Sequence, residues 1–345
     1  MLMKLMREQL IDLLNIYGVS GMEAPVREHL IPVLTPLVDM VKVDHYGNLL
    51  AEKKMGNGKG ATVLLSAHMD TVSGVMRDKV LVEVDGMINA ELPSGKPAIL
   101  GADDRAGIAI VLTVLRNLKQ LEGFNGTVKV AFSREEEVGC VGSEKIDPRF
   151  YEDADLAIVV DRRGNRDIVV GCGMAFCSDS VGEFMENVSG LIEQDWACVG
   201  GGISDAMTFA QNGVNSINLS AGYMNEHTDR EFVSLSDMGD TVRLIMQTFA
   251  IINLHCEKFN EVPNENKWVK AWYPKDRHND FGYSSSAYNY ASDWAEEEIW
   301  AEVNDENGDV WAYEVGDHAV IQQGDNEVVL SRESLRDLMF QLRRI

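Results

Sequence analysis

The sequence predicts an α/β fold, a three-layer sandwich around a mostly parallel central sheet, with a small β-plus-helix appendix at the C-terminus. Two observations point there. Over about the first 258 of the 345 residues, short β-branched runs alternate with amphipathic helical stretches, the signature of crossover units. Histidines and acidic residues also gather at the ends of those β-branched runs, where open α/β sheets carry their sites.

Taken in order, the N-terminal run MLMKLMREQLIDLL reads as an amphipathic helix. Arg7, Glu8 and Asp12 interrupt its apolar stretch and no small-residue cleavage site follows, so it is not read as a signal peptide and a cytoplasmic location is expected. Strands are expected at 62–67, 127–133, 156–160, 168–171 and 215–219, and helices at 104–121, 181–193, 204–211 and 236–259. Alternating apolar positions around Asp85-Gly86 make 80–90 a hairpin, expected near the sheet edge. After residue 259 the composition shifts toward Asn, Ser, Tyr and Pro, and five of the six tryptophans fall between Trp268 and Trp311. Short alternating strands are expected at 299–303, 311–315, 319–323 and 327–330, with turns at Asn307-Gly308 and Gly324-Asp325. A last helix over 331–344 has Ser331 as its N-cap. The expected organisation is a main domain over 1–259, a linker or arm over 260–295, and a small accessory module over 296–345. The tail aromatics are expected to pack on an apolar face of the same chain, a neighbouring subunit being the other reading.

Composition narrows the function. A hydrophobic share of 45% and a charged share of 25% are ordinary for a globular protein, and no apolar run is long enough to span a bilayer. The net charge of −24 argues against a nucleic-acid partner, which needs a basic surface. Cys140, Cys172, Cys177, Cys198 and Cys256 show no metal-knuckle spacing and read as free thiols in a reducing compartment.

Five short segments carry the chemistry. His68 and Asp70 lie two apart at a strand end, so both side chains point the same way. A ligating imidazole with a carboxylate on its other nitrogen needs that spacing. Asp103-Asp104 open an apolar helix, and two adjacent acids exceed what capping requires: one can bridge two cations while the other caps. Gly107 then lets the helix approach the sheet. Glu135-Glu136-Glu137 repel one another unless cations neutralise them, which suits a metal ligand beside a general base. Asp161 closes an apolar strand and His227 lies on a loop after another. Each segment alone has a bland reading as a structural histidine, a cap, a solvated loop or a turn. Together, two histidines and three carboxylates form a natural N/O ligand set for two divalent ions.

The motifs SAHMDT, GADDRAGIA, EEVG followed by Gly142-Ser143, VVD and NEHTDREF resemble, in that order, those of the zinc-dependent (dizinc) exopeptidase superfamily. That group includes leucyl-type aminopeptidases, glutamyl carboxypeptidases and tripeptidases. The likeness covers about residues 10–258, and YGVSGME at 17–23 resembles an early loop of these enzymes. The resemblance implies the phosphorylase/hydrolase-like fold and two divalent cations, Zn²⁺ by preference, with Co²⁺ or Mn²⁺ also suiting the donors. It implies that Asp103 bridges them, that His68 and Asp161 complete one site, and that Glu137 and His227 complete the other. Glu136 matches the general base and Asp70 the carboxylate that orients His68. Glu135 is extra to the pattern and is expected to face solvent. The implied partner is a peptide or aminoacyl substrate, with no nucleic acid and no membrane; a homo-oligomer is compatible with it.

Subclass is read from what separates the motifs. AHMDTV and LGADDRAGIA look most like the tripeptidase and carboxypeptidase branch, whose members carry an inserted lid domain. The segment between Asp161 and His227 is too short for a lid, and GGGISD resembles the turn of compact aminopeptidases. The space between His68 and Asp103 is likewise too short for the oligomerising domain of another branch. An aminopeptidase is therefore expected. The alternative is a carboxypeptidase, tripeptidase or N-acyl-amino-acid hydrolase, which needs a carboxylate-binding arginine such as Arg162, Arg163 or Arg230. A third reading, a non-catalytic metal-binding docking protein, draws on the Trp-rich tail but leaves the intact Glu136 without a purpose.

Overall fold

The computed structural model describes residues 2–121, 123–255, 259, 261 and 263, and four strands beyond residue 300. The chain divides into two compact units, Met1–Lys270 and Ala271–Ile345.

In the first unit, helices α1 (Leu2–Leu14) and α2 (Ala24–Leu34) precede β1 (Met40–Val43), β2 (Leu49–Lys54) and β3 (Thr62–His68). Three small strands follow, β4 (Val80–Val84), β5 (Met87–Glu91) and β6 (Pro97–Ala98), then α3 (Ala102–Asn117), β7 (Thr127–Ser133) and α4 (Val141–Glu144). Next come β8 (Leu156–Arg162), β9 (Asp167–Gly171), α5 (Asp179–Leu191), β10 (Ala197–Gly200), α6 (Asp205–Gln211) and β11 (Ser216–Ser220). The unit closes with β12 (Tyr223–Met224), β13 (Phe232–Ser234) and α7 (Leu235–Ile251).

The main sheet has eight strands in the order β1-β2-β7-β3-β8-β11-β9-β10. Its middle, β7-β3-β8-β11, is parallel. Every residue of β7 is buried, as expected for a strand covered on both faces. Alternation along the strands separates two cores. Val63, Leu65, Val128, Val130 and Ile158 pack with α1, α3 and α7, while Leu64, Ala131, Ala157 and Val159 pack with Phe209 of α6 and Tyr151. These are the three layers the sequence predicts.

The α3 helix and the sheet approach closely. A methyl group on Gly107 would stand 2.0 Å from the Val160 carbonyl oxygen, so only glycine allows this helix to lie against β8. Arg105, near the start of α3 and 1% exposed, has its guanidinium donating to the carbonyls of Met69 and Gly18.

Several expectations shift. The strand expected at 62–67 runs on to His68, and β8 runs through Asp161. The last helix of the unit stops at Ile251, where Asn253 turns to accept from the Ala61 amide at 2.8 Å. The 80–90 hairpin forms, but not on the edge of the main sheet. It joins a second sheet, β12-β13-β5-β4 with β6 on β5. Ile88 and Ala90 alternate inward from β5, and Ile88 pairs with Val233 of β13. Ala90 pairs with Ala98 of β6, and β4 takes the other side, so β5 is paired along both edges.

The second unit is an antiparallel meander of β14 (Ala301–Val303), β15 (Val310–Val315), β16 (His318–Gln323) and β17 (Asn326–Ser331). Ser331, expected as a helix cap, ends β17. The arm beyond residue 263, the turns at 307–308 and 324–325, the helix after residue 331, and Trp268, Trp272, Trp294 and Trp300 lie outside the described residues. No described helix is long and apolar enough to cross a membrane.

Candidate metal centre

The site is built at the carboxyl end of the parallel strands. His68, the last residue of β3, is 1% exposed. Its Nδ1 faces Asp70, 3.1 Å from the carbonyl oxygen and 3.2 Å from Oδ1. The other nitrogen is thereby aimed into the cleft. There Nε2 lies 3.0 Å from Asp103 Oδ1, 3.4 Å from Asp161 Oδ1 and 3.8 Å from Glu136 Oε2. Asp70 is itself held: it accepts from the Ser20 hydroxyl at 2.7 Å and from the amides of Glu136 and Glu137 at 3.0 and 3.2 Å. One carboxylate thus sets both the imidazole and the start of the acidic loop.

The adjacent aspartates divide their tasks. The backbone at Asp103 and Asp104 is non-helical and the peptide between them is cis. Asp103 stands between the two histidines, Oδ1 toward His68 and Oδ2 3.2 Å from His227 Nε2. Asp104 turns into the protein, accepting from the Gly107 amide at 2.9 Å and the His68 amide at 3.3 Å. His68, Asp103 and Glu137 offer ligand atoms within 4.8 Å of one another, and so do His68, Asp104 and Asp161. Both Asp104 oxygens are thus engaged by backbone donors, whereas Asp103 faces the two histidine nitrogens.

Glu137 Oε2 lies 2.8 Å from His227 Nε2, while its buried Oε1 has no partner among the described residues. Glu136 directs Oε2 toward His68 and takes the Cys140 thiol on Oε1 at 3.4 Å. Glu135, expected to face solvent, is only partly exposed, its side chain 22% accessible. Its left-handed backbone, φ 51°, turns it away from its neighbours, and its carboxylate receives the Tyr46 hydroxyl and the Arg134 guanidinium. Asp161 is fixed by Asn218, which accepts its amide at 2.9 Å, and by the Tyr223 hydroxyl at 3.0 Å.

His227 sits on the loop between β12 and β13, where Asn225 and His227 both adopt left-handed conformations. Glu231 closes that loop. Its carboxylate, 1% exposed, accepts from the amides of Gly101 and Ala102 at 2.7 Å and of Asp103 at 3.1 Å. All seven residues singled out from sequence, His68, Asp70, Asp103, Glu136, Glu137, Asp161 and His227, therefore converge. Ser20, Cys140, Asn218, Tyr223 and Glu231 were not singled out, although Glu231 lies inside the NEHTDREF motif and Ser20 inside YGVSGME.

Electrostatics follow from crowding acids in a buried space. Burial and then Asp161 push Glu136 well above the usual carboxylate range. Burial and then the charge of Asp103 raise Asp161, which reaches about 7, and also raise Glu137. Burial disfavours a charged His68, but Asp161, Asp103 and Asp70 outweigh it and raise the imidazole well above its ordinary value. His227 goes up to about 11, the carboxylates of Asp103 and Glu137 overcoming its burial. Like charges this close are relieved by cations. The donor set fits divalent ions: imidazole and carboxylate ligands, one carboxylate between two histidines, and an orphaned buried oxygen on Glu137.

Comparison with known proteins accords with this geometry. The model of peptidase family M28 matches residues 48–235, more than half of the chain. Peptidase T of Clostridium novyi is 37% identical over 148 residues, 42% of this chain and 35% of that protein. The chain spans 35% of the length of that peptidase T and 21% of a putative aminopeptidase of Acetivibrio thermocellus to which it is 47% identical over 73 residues. Among solved structures, aminopeptidase PepT from Bacillus cereus superimposes with a TM-score of 0.64 at 18% identity, covering 72% of this chain and 98% of that one. The Pyrococcus horikoshii TET1 peptidase, described as assembling into a tetrahedron or a large octahedral shell, gives 0.54 at 21% identity, over 70% and 98%.

Proposed function

Because the chain belongs to peptidase family M28, within the dizinc exopeptidase superfamily, we propose that it is a metal-dependent exopeptidase removing N-terminal residues from peptides. The observation that carries this reading is the pair of histidines set 3.0 and 3.2 Å from opposite oxygens of the single carboxylate Asp103, with Glu136 alongside. Asp103 would hold both cations, with His68 and Asp161 completing one position and Glu137 and His227 the other. When bound, two divalent ions, Zn²⁺ by preference, would supply Lewis acidity toward a water and the scissile carbonyl. Glu136, with Oε2 facing His68 Nε2 at 3.8 Å, would be the group at hand to hold a proton and pass it to a departing amine nitrogen. Asp70 keeps His68 in the tautomer that leaves Nε2 for the cation. No covalent intermediate is required.

Aminopeptidase chemistry is preferred to recognition of a substrate carboxylate for two reasons. From β8 to β12 the chain forms β9, α5, β10, α6 and β11, all part of the main sandwich, with no separate lid. Arg162 is paired with Asp167 at 3.3 Å and Arg163 with Glu226 at 3.1 Å. Arg230, exposed on the His227 loop, is the arginine on which a carboxypeptidase or tripeptidase reading rests. A homo-oligomer is part of the proposal, by analogy with the assembling TET1 peptidase; a monomeric mass by light scattering would remove it.

The deciding experiment is hydrolysis of free-amine aminoacyl anilides, their N-blocked counterparts and tripeptides. It uses metal-stripped protein reloaded with Zn²⁺, Co²⁺ or Mn²⁺. Cleavage of free-amine substrates only, abolished in Glu136→Gln, is expected. Cleavage confined to blocked or carboxylate-bearing substrates moves the protein to the alternative branch. Silence across the panel in cation-loaded protein rejects the enzyme reading in favour of a metal-binding docking protein.

A further inference from the structure

We propose that Glu231 is the positioning residue of the metal centre, a buried clasp that holds Asp103 and the His227 loop in register so that both cations can be retained. The inference rests on the dimetal reading above but concerns a residue that touches neither cation in it.

Three observations meet at this side chain. Its two oxygens take three consecutive backbone amides, Oε2 from Gly101 and Oε1 from Ala102 and Asp103, across 128 to 130 residues of sequence. Those amides belong to the non-helical turn that presents Asp103, where no α-helical hydrogen bond fixes the backbone. The same glutamate ends the loop whose left-handed residues present His227. A carboxylate 1% exposed is costly to bury unless its oxygens are satisfied, and three amides satisfy them. Lys79 adds a favourable charge at Glu231 while donating to the Leu100 carbonyl, next to the clasped turn. Glu231 therefore joins the two segments that supply Asp103 and His227.

The consequence is asymmetric. One cation position draws two of its three ligands, Asp103 and His227, from clasped segments. The other draws only Asp103, since His68 ends β3 and Asp161 lies on β8. Loosening the clasp should release the Glu137/His227 cation first. Glu231→Gln is the informative variant, because it keeps the shape but sets an amide donor against an amide that needs an acceptor.

The test is titration of metal-free protein with Co²⁺, read by its visible d–d absorption and by bound-metal analysis, alongside hydrogen exchange of the metal-free protein. In Glu231→Gln one cation, the one assigned to Glu137 and His227, should lose about 10- to 100-fold in affinity and the other less than about threefold. Asp229→Asn, the same charge change on an exposed residue of the same loop, should alter neither. Amides 101–103 should be protected in the wild-type chain and exposed in Glu231→Gln, with α3 unchanged beyond them. Wild-type affinity for both cations in folded Glu231→Gln overturns the clasp. So does exchange of amides 101–103 in the wild-type chain at the rate of an exposed loop, a measurement that holds even if the variant does not fold. Failure of the wild-type chain itself to take up cations instead overturns the dimetal reading, and exchange at 101–103 still reports on the clasp.

Discussion

At the scale of single residues, neighbouring acids are separated by what each one touches. Glu136 has one oxygen toward His68 and the other on the Cys140 thiol, an arrangement that suits the role proposed for it, carrying a proton rather than holding a cation. Glu136→Gln is expected to lower kcat by about 10²- to 10⁴-fold while bound metal, measured on the same sample, stays at the wild-type level. Loss of metal in that variant would make Glu136 a ligand instead. Asp103 and Asp104 give a second contrast. Asp103→Ala should abolish uptake of both cations, because Asp103 faces both histidines. Asp104→Ala removes the acceptor of the Gly107 amide and should cost about 1–2 kcal/mol of stability, the usual scale for a lost helix cap. Chemical denaturation and metal analysis of the two variants distinguish these roles. If Asp104→Ala also emptied both positions, the assignment of the bridging acid would be wrong.

Among elements, the decisive contact is α3 on β8. Gly107→Ala would drive a methyl group into the Val160 carbonyl, which stands 2.0 Å from the methyl position. Because both partners are backbone, relief requires the helix to move, and a destabilisation of about 1–3 kcal/mol is expected. Val160 immediately precedes Asp161, so the same variant should weaken metal binding; a Tm and an affinity equal to wild type would show that the helix has room to shift. This packing was legible in the sequence, since a glycine after paired acids at a helix start has little other purpose. Other elements were not. Helix α2 carries Pro32 in its interior, which argues against a helix on local grounds. Strand β10 is the four-residue segment Ala-Cys-Val-Gly, with no periodicity to read. Strands β12 and β13 span two and three residues and exist because β5 offers an edge to pair with.

For the molecule as a whole, burying so many ionisable groups links stability to pH. Asp161 and Glu231 both titrate near 7 in the folded chain, burial being the first cause, against ordinary values of 3.8 and 4.5. The folded state therefore holds more protons than the unfolded one between about pH 4 and 7, and stability must fall as pH rises through that window. His227, raised from 6.5 to about 11, contributes stability that is full below 6.5 and is lost as pH climbs toward 11, with the same sign. Asp103 and Asp70 are shifted downward, and their contribution is lost only on acidification below about pH 4. Metal-stripped protein should thus melt at progressively lower temperature from pH 4.5 to 8, and cation loading should flatten the trend by neutralising the acids. A Tm of the metal-free form that is flat or rising over that range would contradict the crowding of charge at the site.

The alternation of apolar runs determined the layered α/β core, and in β3 and β7 it located the strands to within a residue, because periodicity and burial of a continuous strand are properties of the local chain. The histidines and acids proposed as ligands were equally visible, since each lies in a short motif at the end of such a strand or on the loop after it. Local sequence could not assign partners across long separations. Glu135 looked solvated beside two functional acids, yet Tyr46 and Arg134 draw it inward. Glu231 looked like one more charge on a loop, yet it receives amides 128 to 130 residues away. The 80–90 hairpin carried its own turn signal, but its sheet was chosen by β13. A hydrogen bond over such a distance exists only once the chain has closed on itself, so the protein's elements follow from local pattern and the register of its site from tertiary contact.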